Sequence, residues 1–276
     1  MKNSQSIISD LQNTLQRLER EADQPSQSTK ARQALEADIR KTIDSLTQLL
    51  AELDPVRQPT AIFDPSNPKI VGRFISLALV AQPARPLTET EVDRFYGSGV
   101  YALYYTGDLP LYAPISRSET PIYVGQAAPA IKNASTPAQQ GEKLSKRLEE
   151  HRKNIAKAVG SIEVSEFQFR ALTVASGWET AAEDYLIHLF RPIWNSETKI
   201  LYGLGKHGDS AETRSNKRSP WDTIHPGRKW AANPQLQNAK NLEQIINELN
   251  VHFKRYPVFN SLDDVLNSFI DELRQI

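Results

Sequence analysis

Two tyrosines, Tyr101 and Tyr123, have phenol groups that could hold or move a proton. Each lies in a short run of residues that favours a β-strand. Tyr101 belongs to the run GVYALYY at 99–105, and Tyr123 belongs to the run PIYVG at 121–125. A loop with glycine and prolines separates the runs, so together they predict a hairpin. Because side chains alternate between the faces of a strand, the two phenols can meet on one side.

A basic pair follows on a predicted helix at about 141–158. Arg147 and His151 lie four residues apart, beside an apolar stripe made of Leu144, Leu148 and Ile155. Residues at this spacing share one helix face. The helix therefore presents a guanidinium and an imidazole together.

One carboxylate, that of Glu183, lies on an otherwise apolar helix face. A Ser-x-x-Glu capping box at 176–179 predicts the start of this helix, which is expected to run to about Phe190. Apolar residues stand three, four and seven positions after Glu183, whereas Asp184 lies a step further round. A carboxylate on such a face needs a partner, which a cation or a metal ion would supply. A snorkelling or salt-bridged glutamate is the alternative.

The order and types of these residues resemble the GIY-YIG nuclease superfamily, whose members are metal-dependent enzymes that cut a DNA phosphodiester. The segments look most like the branch of Type II restriction endonucleases that cut the palindrome CCGCGG. The similar segments are Tyr101 to Tyr105, Pro121 to Gly125, Ser145 to Arg147, His151, Asn154 to Lys157, Pro192 to Asn195 and Ile224 to Arg228. The resemblance spans roughly residues 95–232 and does not cover the N-terminal helices.

This resemblance implies an active site for Mg²⁺-dependent hydrolysis. Its residues would be Tyr101, Tyr123, Arg147, His151, Glu183 and Asn195. Glu183 would bind one Mg²⁺, Arg147 would bind the scissile phosphate, and Tyr123 and Asn195 would position water or phosphate. Nearby Mg²⁺, Arg147 and His151 would favour a Tyr101 phenolate acting as base, with His151 accepting its proton. Tyr123 as the base and His151 as the direct base are the alternatives. Gln126 stands where close relatives often have Lys, so it is not assigned to the catalytic residues.

The resemblance implies an α+β fold in which the GIY-YIG core is a small central antiparallel or mixed β-sheet flanked by helices, and the remaining patterns add helices at both ends. Leu/Ile stripes in helices at 4–23 and 30–53 predict a helical hairpin or coiled-coil arm over 1–56. A proline-rich linker at 55–68 and a buried helix near 70–79 precede the catalytic and DNA-recognition domain, placed at 57–240. Two C-terminal helices at 241–276 are expected to pack on this core.

Charge is unevenly distributed although the chain has 33 Lys and Arg against 33 Asp and Glu. Residues 141–157 carry six basic against three acidic residues, and 199–229 carry seven against three. Local cationic surface, not total charge, supplies affinity for a phosphate backbone. We interpret 202–229 as an extended basic loop with Trp221 as its anchor. Its candidate DNA contacts are Lys206, His207, Arg214, Asn216, Lys217, Arg218 and Arg228.

The composition excludes some classes of protein. The chain has no cysteine, which removes disulfides, thiolate nucleophiles and sulfur-ligated zinc. Its first residues lack a signal-peptide core, and no window is long and apolar enough to span a membrane. We expect a cytoplasmic protein, and the resemblance to restriction endonucleases implies a bacterial one.

The sequence therefore predicts a Type II restriction endonuclease acting on double-stranded DNA. A palindromic target favours a homodimer or higher homo-oligomer, and a restriction enzyme implies a cognate DNA methyltransferase. A homing or repair nuclease is an alternative, as is a catalytically silent DNA-binding or scaffold protein. The presence of all six polar site residues argues against the silent protein.

Overall fold

A computed structural model describes residues 2–22, 29–53, 56, 62–204 and 217–274. The chain divides into two compact units, Met1–Ile62 and Phe63–Ile276. The predicted boundaries at 56/57 and 240/241 stay predictions. The polar break at 24–28 and most of the 55–61 part of the linker lie outside the described residues.

The helices and strands of the described residues are named here in chain order. The helices are α1 (Lys2–Ala22), α2 (Thr29–Leu53), α3 (Pro68–Val80), α4 (Pro137–Gln140), α5 (Lys143–Ile155), α6 (Glu179–Phe190), α7 (Pro220–Ile224), α8 (Leu242–Arg255) and α9 (Leu262–Leu273). The strands are β1 (Arg85–Pro86), β2 (Gly99–Tyr105), β3 (Tyr123–Ala127), β4 (Phe167–Thr173), β5 (Lys217–Arg218) and β6 (Gln237–Asn238). The α+β prediction is confirmed.

The N-terminal unit consists of α1 and α2, as the Leu/Ile stripes predict. Leu11 and Leu18 of α1 and Leu46 of α2 are half-buried, whereas Ile43 and Leu50 of α2 are 55% and 69% exposed. A large part of the apolar stripes is therefore open to solvent.

The second unit is built on a four-stranded antiparallel sheet with strand order β1-β4-β2-β3. The predicted hairpin is confirmed, and its register places Tyr101 opposite Gly125 and Leu103 opposite Tyr123. All seven residues of β2 are buried, as expected for a central strand covered on both faces. In contrast, β3 lies at the edge of the sheet.

Two helical layers cover the sheet. Tyr101, Leu103 and Tyr105 of β2 share one core cluster with the apolar stripe of α5 and with Trp194 and Trp221. Residues Val100, Ala102 and Tyr104 face the other way, into a cluster with α3 and α6. The buried helix predicted near 70–79 is α3, whose Gly72 lies so close to α6 that an added Cβ would be 2.4 Å from the Ala181 carbonyl oxygen.

The predicted capping box before α6 is wrong. Trp178 is the N-cap, and no side chain caps the first turn. Instead, the buried Glu179 carboxylate accepts hydrogen bonds from the Gly177 backbone N–H at 2.7 Å and the Ser98 hydroxyl at 3.1 Å. The Ser176 hydroxyl donates to the Ala134 carbonyl oxygen. Glu179 thus ties the start of α6 to the residue before β2.

The predicted extended loop at 202–229 is partly regular. Its described residues include β5, which pairs with β6 in parallel, and the short helix α7. Trp221 is fully buried, which confirms it as an anchor. The C-terminal helices pack as expected, with Ile245 and Leu249 of α8 in the main core cluster and Val265 of α9 in the other. No helix among the described residues combines the length and the apolar character needed to cross a membrane.

Candidate active site

The hairpin and α5 bring three aromatic side chains together. Tyr101 and Tyr123 have ring centroids 6.1 Å apart, and the His151 ring lies 5.4 Å from Tyr101 and 4.9 Å from Tyr123. The Tyr101 hydroxyl and His151 Nε2 are hydrogen-bonded at 2.7 Å. Gly125 makes room for this contact, because a Cβ there would lie 2.4 Å from the Tyr101 hydroxyl.

Arg147 lies one helical turn before His151 and interacts with both phenols. Its charge acts on both phenols, and its Nη1 donates to Glu150 Oε2 at 2.9 Å. Burial alone would lower the pKa of Arg147, but Tyr101, Glu150 and Tyr123 outweigh it and raise that pKa. The side chain is 31% exposed, so a permanently charged guanidinium lies beside the phenols and remains accessible to an anion.

The two phenols are neutral in this environment. Burial raises the pKa of Tyr101 well above its usual value near 10, Tyr123 adds to this effect, and Arg147 opposes it. Burial also raises the pKa of Tyr123, again against Arg147. The expectation that Arg147 and His151 favour a phenolate is therefore not met by these residues alone. A neutral Tyr101 donates to Nε2 when the imidazole carries its proton on Nδ1.

Glu183 is a half-buried carboxylate with no cationic partner among the described residues. Burial raises its pKa to about 7; Gln126 opposes the shift through hydrogen bonds from its side chain and backbone, and Glu197 and Asp184 add to it. No ion pair with a cation is formed by Glu183 within the described part of the chain, so the salt-bridge alternative does not apply there. The Glu183 carboxylate also raises the pKa of Tyr123, so the two groups interact electrostatically.

This carboxylate fits a hard divalent cation. The described residues contain no group of three or more His, Cys, Asp or Glu side chains that could bind a metal ion. A cation at Glu183 would therefore take one protein carboxylate, with the remaining positions left to water and phosphate, an arrangement that Mg²⁺ tolerates. Its charge would favour the ionised form that burial opposes.

Asn195 has a different position from the one its predicted role requires. Its Oδ1 accepts from the Val124 backbone N–H at 3.0 Å, and its Nδ2 donates to the Val124 carbonyl oxygen at 2.9 Å. The side chain is buried, and both groups of its amide are used. Asn195 therefore extends the hydrogen bonding of edge strand β3, and its predicted direct contact with water or phosphate is corrected to the positioning of β3.

Gln126 is the site residue that the sequence reasoning left out. It follows Gly125 on β3 and points away from Tyr123, toward α6, where its Nε2 donates to the Thr180 hydroxyl at 3.2 Å. It also opposes the rise in the pKa of Glu183, which lies one helical turn after Thr180 on α6. Strand alternation predicts that Gln126 and Tyr123 lie on opposite faces of the sheet. The packing of α6 on the sheet is needed to identify Glu183 as a neighbour of Gln126.

The candidate DNA contacts fall into three groups. Lys206, His207, Arg214 and Asn216 lie outside the described residues. Lys217 is exposed, whereas Arg218 donates to the Ala231 carbonyl oxygen and to Asn238 Oδ1. Arg228 is buried and paired with Asp222, so it does not present its guanidinium to a ligand, and its assignment as a DNA contact is corrected.

In comparison with known protein families, residues 93–253 match the family model described as the Eco29kI GIY-YIG domain. The match covers more than half of the chain and includes every residue of the candidate active site. No curated protein matches the chain.

Proposed function

Because the chain belongs to the Eco29kI GIY-YIG family, which makes it a nuclease acting on DNA, we propose that it is a Type II restriction endonuclease. It makes double-strand cuts at a G·C-rich palindrome such as CCGCGG by Mg²⁺-dependent hydrolysis. It works as a homodimer or higher homo-oligomer in a bacterial cytoplasm, where a cognate DNA methyltransferase protects the host site. The observation that carries the proposal is the hydrogen bond between the Tyr101 hydroxyl and His151 Nε2 beside Arg147 and Glu183.

The geometry supports a proton relay through Tyr101. Because the phenol is neutral, it cannot accept a proton from water unless it gives up its own. The 2.7 Å hydrogen bond to Nε2 supplies the acceptor. As the water oxygen bonds to phosphorus, its proton passes to Tyr101 and the Tyr101 proton passes to His151. The bond between phosphorus and the leaving oxygen breaks, and that oxygen takes a proton from solvent to become an alcohol.

The other residues stabilise charge and orientation. Arg147 binds the phosphate as negative charge grows on its oxygens, since its guanidinium is partly exposed next to Tyr101. Glu183 would hold the Mg²⁺ ion, which supplies Lewis-acid stabilisation of the phosphate charge. Tyr123 positions the attacking water, and Asn195 fixes the strand that carries Tyr123.

Plasmid cleavage in Mg²⁺, with the new ends mapped by sequencing, tests this function. Fixed cuts on both strands at one palindrome are the expected result. Nicks directed by DNA structure would indicate a repair-type nuclease, and cuts at a long single site would indicate a homing nuclease. No cleavage, together with retained DNA binding, would indicate a catalytically silent protein; each of these results would overturn the proposal.

A further inference from the structure

The turn after α6 is hydrogen-bonded to both neighbours of Tyr123 along the chain. The Trp194 backbone N–H donates to the carbonyl oxygen of Ile122 at 3.0 Å. The next residue, Asn195, bonds through its side chain to the backbone of Val124. No strand pairs with this edge of β3 in the described part of the chain. The backbone position of Tyr123 therefore depends on this turn as well as on β2.

The Tyr112 hydroxyl holds this turn from inside the core. The Trp194 indole N–H donates to the hydroxyl at 3.0 Å, and the hydroxyl is also hydrogen-bonded to His225 Nε2 at 2.6 Å. All three side chains are at most 1% exposed. A buried polar group that loses its partner has no water to replace it, so the shared hydroxyl restrains both the indole and the imidazole.

The same network reaches the segment that follows α5. His225, the residue after α7, is hydrogen-bonded through Nδ1 to the Ser161 hydroxyl at 3.0 Å. Ser161 lies just beyond α5, the helix that carries Arg147 and His151, and Tyr112 lies in the loop between β2 and β3. The Tyr112 hydroxyl thus connects the hairpin loop, the turn beside β3 and the segment after the active-site helix.

The network stays neutral over the working pH range. Burial raises the pKa of Tyr112 above its usual value near 10, although the hydrogen bond from Trp194 opposes the shift. Burial lowers the pKa of His225 to about 3, and Arg228 adds to this effect. The hydroxyl therefore acts through its position and not through a charge.

We propose that Tyr112 is a positioning residue for Tyr123 and acts through Trp194 and the turn beside β3. The inference rests on the proposed function, in which Tyr123 positions the attacking water. A misplacement of about 1 Å in the groups that orient a reaction costs up to ~10²-fold in rate. Loosening the turn therefore slows hydrolysis. Binding of DNA is kept, because the side chains of the network around Tyr112 are buried and do not contact the duplex.

Tyr112→Phe tests this role, with Tyr105→Phe as the matched control. Each substitution removes one hydroxyl from a fully buried ring in the same core cluster. The Tyr105 hydroxyl accepts from the Leu109 backbone N–H at 2.9 Å, at the start of the hairpin loop and not at the turn beside β3. Both full-length variants are melted first. Single-turnover cleavage is then measured at saturating enzyme and Mg²⁺, well below both melting temperatures, and duplex affinity is measured without Mg²⁺.

We expect Tyr112→Phe to lower the cleavage rate about tenfold and to keep duplex affinity within about twofold of wild type. Tyr105→Phe should keep both quantities within about twofold. Equal rate losses in the two variants, or an unchanged rate in Tyr112→Phe, would overturn the role. If Tyr112→Phe does not fold, Ser161→Ala takes its place, because it removes the outer hydroxyl of the same network. Its rate should then fall about threefold or more, and an unchanged rate would overturn the role.

A double-mutant cycle shows whether the effect passes through Tyr123. In the Tyr123→Phe background no hydroxyl is left to position, so adding Tyr112→Phe should slow the remaining cleavage by less than about twofold. The same loss in both backgrounds would indicate a general structural defect and would overturn the role. If Tyr123→Phe leaves no measurable cleavage, the comparison with Tyr105→Phe decides.

The wild-type protein separates this inference from the proposed function. Wild-type cleavage without a fixed site would overturn the assignment as a restriction enzyme, and the same variants would still test Tyr112 by their nicking rates. A fixed wild-type site combined with equal rate losses in Tyr112→Phe and Tyr105→Phe would overturn the role of Tyr112 alone. A wild-type protein that cuts no DNA would overturn both.

Discussion

At the scale of single residues, burial keeps protons on the acidic groups of the candidate site. It raises the pKa of Tyr101, of Tyr123 and of Glu183, the last to about 7. Arg147 opposes the effect on both phenols without overcoming it. Near neutral pH the two phenols therefore stay neutral and Glu183 is only partly ionised, and an added cation would favour its ionisation.

Replacement of Glu183 should separate its role in cleavage from its effect on stability. Its folded-state pKa of about 7 exceeds the ordinary value of 4.5, so the folded protein binds a proton that the unfolded chain releases between these values. Ionised Glu183 thus lowers the free energy of unfolding above about pH 7, and this loss is absent below pH 4.5. The shift corresponds to ~3 kcal/mol at most, and solvent screening of a half-buried group reduces the expected effect to ~1 kcal/mol.

Glu183→Gln should therefore raise the melting temperature at pH 8 by a few degrees and leave it unchanged at pH 4.5. The same variant should lose cleavage and keep DNA binding, because a carboxylate that repels phosphate is removed. Asp184→Asn is the matched control, since Asp184 is the exposed neighbour and should keep both cleavage and melting temperature. Near-normal cutting by Glu183→Gln in Mg²⁺, or a lower melting temperature at pH 8, would contradict the assignment.

Cleavage should lose rate below about pH 7 in a way that depends on Mg²⁺. The proton on Glu183, whose pKa is about 7, competes with the cation for the same carboxylate. Well below the midpoint the rate should fall about tenfold per pH unit, and once Mg²⁺ exceeds its high-pH dissociation constant a further tenfold increase should move the midpoint about one pH unit lower. Single-turnover rates over a grid of pH and Mg²⁺ measure this shift. A fall that stays at one pH at all Mg²⁺ concentrations would show that another group causes it.

Two tyrosines on opposite faces of β2 provide a matched test of the proton relay. Tyr101→Phe keeps the ring in the core and removes the hydroxyl bonded to His151, so cleavage should fall ~10²-fold or more while DNA binding is kept. Tyr104→Phe removes an equally buried hydroxyl on the other face and should leave the rate within about threefold of wild type. Rates are compared at saturating enzyme. Equal effects of the two substitutions would rule out the relay through Tyr101.

At the scale of elements, the site is assembled around edge strand β3. Tyr123 projects toward α5 and Gln126 toward α6, so groups from both helical layers meet beside this one strand. Asn195 supplies β3 with the pair of backbone hydrogen bonds that a further strand would otherwise provide. The position of Tyr123 therefore depends on a side chain from the turn after α6.

Asn195→Leu should lower stability and slow cleavage on every sequence alike. It leaves the N–H and the carbonyl oxygen of Val124 without their partner, and each unsatisfied buried group costs ~1–3 kcal/mol. Thermal melts and rates on cognate and altered duplexes measure both effects. Loss of Mg²⁺ affinity with an unchanged melting temperature would instead indicate a direct role in the site.

The sequence predicts elements whose signal is local. The β-branched and aromatic runs predict the hairpin, and the stripe of Leu144, Leu148 and Ile155 predicts α5. Contacts between distant residues are not visible in this way. Glu179 follows Ser176 at capping-box spacing, yet its carboxylate binds Ser98 because of how α6 packs. Arg228 has the type and sequence context of a DNA contact, yet Asp222 holds it in the core. The sequence indicates the site residues by their types, but the contacts that each of them makes are visible only in the fold.

At the scale of the whole molecule, the number of catalytic groups must match the symmetry of the target. One chain contains one set of Tyr101, Tyr123, Arg147, His151 and Glu183, whereas a palindrome cut on both strands offers two equivalent phosphates. A two-fold dimer would place one site on each strand, while a monomer would have to nick, release and return. The proposed double-strand activity therefore requires either two chains or two successive events.

The N-terminal unit is our candidate for building that assembly. Its helices α1 and α2 expose apolar side chains, among them Ile8, Leu15, Ile43 and Leu50. Burial of such side chains against a second copy would be favourable at roughly 25 cal/mol per Å² of apolar surface, before the costs of association.

Deleting residues 1–55 should accordingly weaken oligomerisation, and should reduce double-strand cutting more than nicking. Light scattering on the full-length and truncated proteins, with and without the target duplex, measures the first effect, and supercoiled plasmid assays measure the second. A matched full-length control carries Ile43→Lys and Leu50→Lys, which should reproduce the defect because they charge the exposed stripe without shortening the chain. An unchanged mass together with unchanged double-strand cutting after truncation would leave these helices without a role in assembly.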